Sequence, residues 1–473
     1  MASPISPDSM RAMFAARLSV MCKSEMSRYR AMTELVGRVN QDVLAAQPER
    51  MRDDTAALDI ERHGAVRVGS AAELVLLRRL FAVLDMAPVG YYDLSVTGLP
   101  VHSTAFRPLT DAALRQSPFR VFVSLLRLEL ISDATLRDEI AAILARRRLV
   151  TPRGLELLER AEWEGDLSEK DAREFVGEAI ETFRWRPAAT VSIDVYQRLY
   201  RAHPLLADIC CFEGPHINHL AAPTLDIDAV QRGLRAEGFA PKDVIEGPPR
   251  RRRPILLRQT SFKALAEPIA FADGGEALHS ARFGEVEQRG AALTDQGRAL
   301  YDRLLTAAST APSGADYEQE LNRQFEAFPD NDTTLWAKGL AYFRYQPAVT
   351  AALDSDGVQA QLSIQDLLSQ GRLSIEPILY EDFLPASAAG IFRSNLGDCG
   401  ESEHLGRANR QSFEDALGCA VIDAQSLYGA IEAQSLTTSL KALNLLRALP
   451  RLSETAPAPF IPPEARSQVY DSK

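Results

Sequence analysis

Two hydrophobic periods divide this chain. Residues 7–43 carry Met13, Leu18, Met21, Met26 and Leu35 at helical spacing and predict helix. Polar and apolar positions then alternate over 59–68 around His63, predicting a strand. Residues 71–86 form an apolar-rich helix with Leu74, Leu76, Leu77, Leu80, Phe81 and Leu84. Residues 91–96 and 119–131 read as strands, the second nearly continuous in apolar side chains (Val121, Phe122, Val123, Leu125, Leu126). Helices are predicted at 133–147 and 168–184. The charged helical stretch 151–187, with Trp163 and Trp185, reads as an insertion between strand-bearing parts. Residues 207–290 are the most strand-like: 207–212, 217–220, 255–262, 267–271 and 281–289, broken by a helix at 227–237 that Asp226 or Asp228 would cap. Helix returns at 294–309 and 317–328, the first with a capping-box-like Thr-Asp-Gln start.

These elements predict an α+β protein working as a single catalytic unit over 1–473. Residues 1–150 hold N-terminal helices and a first strand, 151–187 the helical insertion, 188–295 a central sheet, 296–450 helices and a loop, and 451–473 a Pro- and Ser-rich, loosely held tail. Residues 183–190 (FRWRPAAT) echo 343–350 (FRYQPAVT), which reads either as a duplicated helix-to-strand junction or, the match being short, as chance. The basic run Arg250 to Arg253, after two prolines, is expected to be a solvated loop.

With 473 residues, 46% hydrophobic and 25% charged, the chain has material for a large core. A net charge of −11 argues against a general nucleic-acid surface and against an anionic membrane face, so an acidic ligand would need a local cationic pocket. No apolar run approaches the ~18 residues of a membrane span, and the first twenty residues, broken by Asp8, Arg11 and Arg17, lack a secretory apolar region. Five cysteines without CxxC spacing read as free thiols of a reducing compartment, so a cytoplasmic location is expected. No dinucleotide or P-loop fingerprint occurs, and no nucleotide cofactor is implied.

The chemistry-bearing residues lie in the strand-like stretches. His63, His219 and Glu287 would deliver two imidazoles and a carboxylate from separate strands, the donor set that holds a divalent metal on one face and leaves the other positions for substrate and O2. The residues alone leave the ligands open. His216 and His219, three apart, point to opposite faces of a strand, and Glu285 and Glu287 share one. Hydrogen-bonded polar groups on a sheet would look the same. Arg67 shares a strand face with His63 and could grip a carboxylate with two parallel bonds, or simply form an ordinary ion pair.

Four motifs in order carry a resemblance: His63-Gly-Ala-Val-Arg67; Asn218-His219-Leu220 ahead of Asp226-Ile-Asp228; residues 283–290 (FGEVEQRG); and residues 380–392 (YEDFLPASAAGIF). Together they resemble the 2-oxoadipate dioxygenase/decarboxylase family, also called 2-hydroxyglutarate synthases, over about residues 10–450. The resemblance implies a curved central sheet like that of vicinal oxygen chelate enzymes. It implies Fe(II) held by His63, His219 and Glu287, rather than by His216 or Glu285. Those three ligands, with Arg67 on the substrate, would form the catalytic site. Ala386 and Ser387 would fall in the loop that closes the pocket, with Ala386 where the family commonly has Val, which widens the pocket slightly. The implied reaction takes 2-oxoadipate and O2 to 2-hydroxyglutarate and CO2. An isomerase or lyase of the same fold, or a non-catalytic metabolite-binding protein, are the competing classes. The presence of all three triad residues and Arg67 weighs against the last.

Overall fold

A computed structural model describes residues 5–47, 58, 60–308, 315–348, 363–384, 403–443 and 445. In chain order its strands are β1 (His63–Val68), β2 (Ala87–Asp93), β3 (Val101–Arg107), β4 (Arg120–Leu126), β5 (Ala188–Ala189), β6 (His219–Pro223), β7 (Leu257–Ser261), β8 (Ala266–Phe271), β9 (Glu276–Ser280), β10 (Phe283–Arg289), β11 (Phe343–Pro347) and β12 (Leu373–Pro377). Seven of them form one mixed sheet in the order β2-β3-β4-β1-β6-β10-β7, and helices surround it, so the fold is α+β. Strands β1 and β4 run parallel, as do β6 and β10, whereas β1 and β6 are antiparallel.

The chain falls into two compact units. One comprises Met1–Glu246, Arg258–Gln288 and Phe383–Ile422; the other comprises Gly247–Leu257, Arg289–Asp382 and Asp423–Lys473. In the first, strand alternation sorts the sheet into two faces. Val66, Val68, Val121, Val123, Leu125, Leu220, Ala222 and Val286 enter a core with Phe14, Leu18, Met32, Leu77 and Phe81 from the helices. The opposite face carries His63, Arg67, Arg120, Ser124, Glu285 and Glu287. Gly64 sits on the core face because a side chain there would collide: a Cβ would lie 2.7 Å from Ile217 Cδ1 and 2.9 Å from Leu220 Cδ2.

Local chemistry explains most element boundaries. Ser6, Ser70, Ser168 and Asp226 each accept a hydrogen bond from a first-turn backbone N–H and so start the helices Pro7–Glu25, Ala71–Val83, Glu169–Thr182 and Ile227–Ala236. The helix expected over 7–43 is two, Pro7–Glu25 and Ser27–Ala46, with Met26 extended between them. The strand expected at 207–212 is instead the helix Pro204–Cys210: Pro204 opens it, the His203 ring caps it, and a buried apolar run is equally consistent with either form. Strands β3 and β9 were not apparent from the pattern. The stretch read as an insertion is helical, and its helices place Leu157, Leu158, Phe175, Val176 and Ile180 in the same core as β1.

In the second unit, β11 and β12 pair antiparallel, and Tyr345, Leu367, Leu373, Leu440 and Leu443 form its small core. The basic run is not simply solvated there. Arg251 donates to the Phe325 and Phe328 carbonyls and lies over the Phe328 ring, and Arg253 pairs with Asp332. The echo marks no duplicated element, since Phe183 ends a helix and Phe343 begins β11. Among the described residues no helix is long and apolar enough to cross a membrane.

Candidate metal centre

Register across three strands assembles the site. His63 on β1 stands opposite Ala221 on β6, and Ala221 stands opposite Glu285 on β10. The alanine methyl between them leaves room for an imidazole and a carboxylate to meet: His63 Nε2 is 3.1 Å from Glu285 Oε1. One step along, His219 lies between Ala65 and Phe283, and the Phe283 ring stacks on its imidazole at 4.6 Å. The two imidazoles meet Nε2 to Nε2 at 3.3 Å, and Glu285 Oε2 is 3.9 Å from His219 Nε2. Glu287 approaches the other side of the His63 ring, Oε2 to Nδ1 at 2.7 Å.

The site is nearly dry. His63, Glu285 and Glu287 are buried, and His219, with 15% of its side chain exposed, is the open edge. Phe383 stands edge-on to His63 at 4.8 Å and touches Phe122 at 4.9 Å, walling the site with aromatic carbon. Gln259 on β7 donates a very short hydrogen bond to Glu285. Burial disfavours a charged His63, yet Glu287 and Glu285 together outweigh it and hold its imidazole above the ordinary value. Burial, opposed by Glu285 but reinforced by the positive charges of His63, Arg67 and Lys242, drives His219 down to about 3, which favours the neutral imidazole, the form that binds metals. Among the described residues its buried Nδ1 has no hydrogen-bond partner.

This donor set fits a cation. Ligand atoms of His63, His219 and Glu285 all lie within 4.8 Å of one another. Two Nε2 atoms face each other, an arrangement that one proton satisfies and that a shared positive ion satisfies better, and two buried carboxylates supply the compensating charge.

The structure thus brings together His63, His219 and both candidate carboxylates. It differs from the expected triad in one respect: the tightest donor group contains Glu285, while Glu287 lies at Nδ1 of His63. The cause is the shared face combined with register, which puts Glu285 directly across from Ala221. His216 lies ahead of β6 and is turned to Asp208, its Nε2 3.1 Å from that carboxylate. Arg67 reaches Asp208 with Nη1 at 2.6 Å. Ala386 and Ser387 lie outside the described residues. Asp208, Gln259 and Phe383 were missed. Asp208 sits in the apolar run that read as a strand, and only three-dimensional proximity reveals the other two.

Two imidazoles and paired carboxylates converge from three strands, with a guanidinium on the same face of β1, and form a candidate metal site. The chain belongs to the 2-oxoadipate dioxygenase/decarboxylase family, whose family model matches residues 14–395. It is 52% identical over 442 residues to the 2-oxoadipate dioxygenase/decarboxylase of Pseudomonas putida, covering 90% of this chain and 95% of that protein. It is 49% identical over 437 residues to the Escherichia coli protein of the same name, covering 91% and 98%. The crystal structure of the Pseudomonas putida hydroxyglutarate synthase in complex with 2-oxoadipate superposes with a TM-score of 0.86 at 50% identity, covering 94% of this chain and all of that one.

Proposed function

We propose that this protein is an Fe(II)-dependent dioxygenase/decarboxylase that converts 2-oxoadipate and O2 to 2-hydroxyglutarate and CO2. The observation that carries this reading is the convergence of His63, His219 and the β10 carboxylates in a buried site beside Arg67. It is supported by the chain's close similarity to proteins named for this reaction. Iron in this site would supply the redox chemistry that the reaction of O2 with a 2-oxo acid requires.

His63 and His219 are the imidazole ligands in this reading, and Glu287 is the carboxylate ligand, the assignment the family resemblance implies. A half-turn of the His63 ring keeps its outline and carries Nε2 one bond from where Nδ1 now sits, toward Glu287. A second reading, with Glu285 as ligand and Glu287 orienting His63 through Nδ1, is favoured by the compact His63, His219 and Glu285 donor group. Arg67 binds a substrate carboxylate and holds the chain of the dicarboxylate still. Phe383 and Phe283 keep water from the reacting carbons. Ala386 and Ser387 contribute to substrate binding in this reading, as the family resemblance implies. Buried free thiols at Cys22, Cys210 and Cys211 support a cytoplasmic location.

The test is anaerobic reconstitution with Fe(II), then addition of 2-oxoadipate and O2. The expected result is one O2 consumed and one CO2 and one 2-hydroxyglutarate formed per 2-oxoadipate. Conversion of substrate without oxygen uptake would replace this reading with an isomerase or lyase.

A further inference from the structure

Behind Arg67 lies a buried polar cluster that the metal centre does not use. Asp208, 5% exposed at its side chain, receives the Arg67 Nη1 on Oδ2 at 2.6 Å. Its other oxygen, Oδ1, is 3.1 Å from His216 Nε2 and 3.1 Å from His279 Nε2, and Asn218 Nδ2 donates to Oδ2 at 3.3 Å. These partners come from different places: Asp208 from the helix Pro204–Cys210, His216 and Asn218 from the segment entering β6, and His279 from β9. His279 is fixed in turn, with the Tyr196 hydroxyl 3.1 Å from its Nδ1 and the Trp185 ring parallel to it at 6.0 Å.

Such a cluster is costly to bury unless its charges are paired, and here Asp208 is paired on both oxygens, while among the described residues His216 Nδ1 and Asn218 Oδ1 have no partner. Burial by itself would favour its neutral form, but His216 and Arg67 overcome that and keep Asp208 well below the usual carboxylate range. A carboxylate so held is an anchor of fixed position. Arg67 makes a single hydrogen bond among the described residues, the one to Asp208, and 26% of its side chain is exposed. Among the described residues its Nε and Nη2 hydrogens have no acceptor, and they form the parallel pair that can grip a carboxylate.

We infer that Asp208 is a positioning residue for substrate recognition: clamped by His216 and His279, it fixes the Arg67 guanidinium so that the Nε/Nη2 edge faces the substrate carboxylate. This deepens the proposed function and rests on it. Asp208 does not touch the substrate. Its effect passes through Arg67, and that makes it separable from a role in stability alone.

A double-mutant cycle tests this, using the Fe(II)-loaded full chain, 2-oxoadipate affinity by anaerobic calorimetry, and KM and kcat by oxygen uptake. Asp208→Asn should raise the Kd and KM for 2-oxoadipate about tenfold while changing kcat and Fe(II) affinity little. In an Arg67→Met background the same substitution should change the Kd less than about twofold, because the group it positions is gone. Equal losses in both backgrounds would overturn the inference and leave Asp208 a structural residue. So would an unchanged Kd in the single variant. If Asp208→Asn does not fold, His279→Gln loosens the same anchor from the far side, and a loss of affinity that vanishes in the Arg67→Met background is again expected. A wild-type protein that does not bind 2-oxoadipate at all would overturn the substrate assignment, and this inference with it. Binding by the wild type with additive losses overturns this inference alone.

Discussion

Replacing Glu285 and Glu287 one at a time by Gln separates ligand from orienting group. Both carboxylates touch His63, at 3.1 Å on Nε2 and 2.7 Å on Nδ1, and each change preserves size while removing one negative charge. A carboxylate that only orients an imidazole contributes one charge-assisted hydrogen bond, about 1.5–3 kcal/mol, so its loss should weaken metal binding about 10- to 150-fold. A carboxylate bonded to the metal contributes that and an anionic ligand, and its loss should exceed this bound. The proposed assignment predicts that Glu287→Gln lowers Fe(II) affinity more than about 150-fold and abolishes oxygen uptake at micromolar iron. Glu285→Gln should stay within the bound and recover turnover at higher iron. The assay is anaerobic titration with Fe(II), repeated with Co(II) for its absorption spectrum, on variants whose thermal unfolding shows the fold is retained. The reverse order of affinities would refute the assignment and establish Glu285 as the ligand. Unchanged affinity in both variants would remove the β10 carboxylates from the metal centre altogether.

Further outcomes follow from the same geometry. If Arg67 reads the distal carboxylate, 2-oxohexanoate, which lacks it, should show a kcat/KM at least about tenfold below that of 2-oxoadipate, since a charge-assisted hydrogen bond is worth about 1.5–3 kcal/mol; comparable values would place Arg67 at the chelating end instead. Gly64→Ala should destabilise the fold by about 1–3 kcal/mol in urea titration, because the new methyl would sit 2.7 Å from Ile217 Cδ1 in a packed core; a loss below about 0.5 kcal/mol would mean that Ile217 and Leu220 move aside freely. Burial, reinforced by Arg127, lowers His102 to about 4, whereas the unfolded chain takes that proton near 6.5. The unfolded state therefore binds more protons, and stability that is complete above pH 6.5 is lost as pH falls toward 4, by roughly 3 kcal/mol. His102→Phe, beside Phe413, should shrink the difference in stability between pH 7 and pH 4.5 by roughly 2 kcal/mol, and an unchanged difference would show that other groups carry the acid sensitivity.

How far the sequence could lead is set by what each signal encodes. Alternation around His63 states which face of β1 a residue occupies, and it placed His63 with Arg67; His216, read on the strand of His219, lies ahead of β6. It carries no information on which strand lies alongside. The burial of β3 on both faces, with Ser103, Thr104 and Arg107 all enclosed, removes the polar stripe by which a strand announces itself. The apolar run around Ala207 and Ile209 suits a buried helix as well as a strand, and reading it as a strand hid Asp208 from consideration. The carboxylate pair shows the same division most sharply. Parity correctly puts Glu285 and Glu287 on one face and then stops, because a spacing of two is the strand repeat itself. Which of them meets which nitrogen of His63 depends on the offset of β10 against β6 and of β6 against β1, and shifting that register by two residues would exchange the carboxylates while leaving every face unchanged. Register is fixed by contacts far apart in the chain: Gly64 fitting against Ile217 and Leu220, and Ala221 leaving the gap above it. The identity of the ligand carboxylate is therefore a property of packing on the core side of the sheet as much as of the two glutamates.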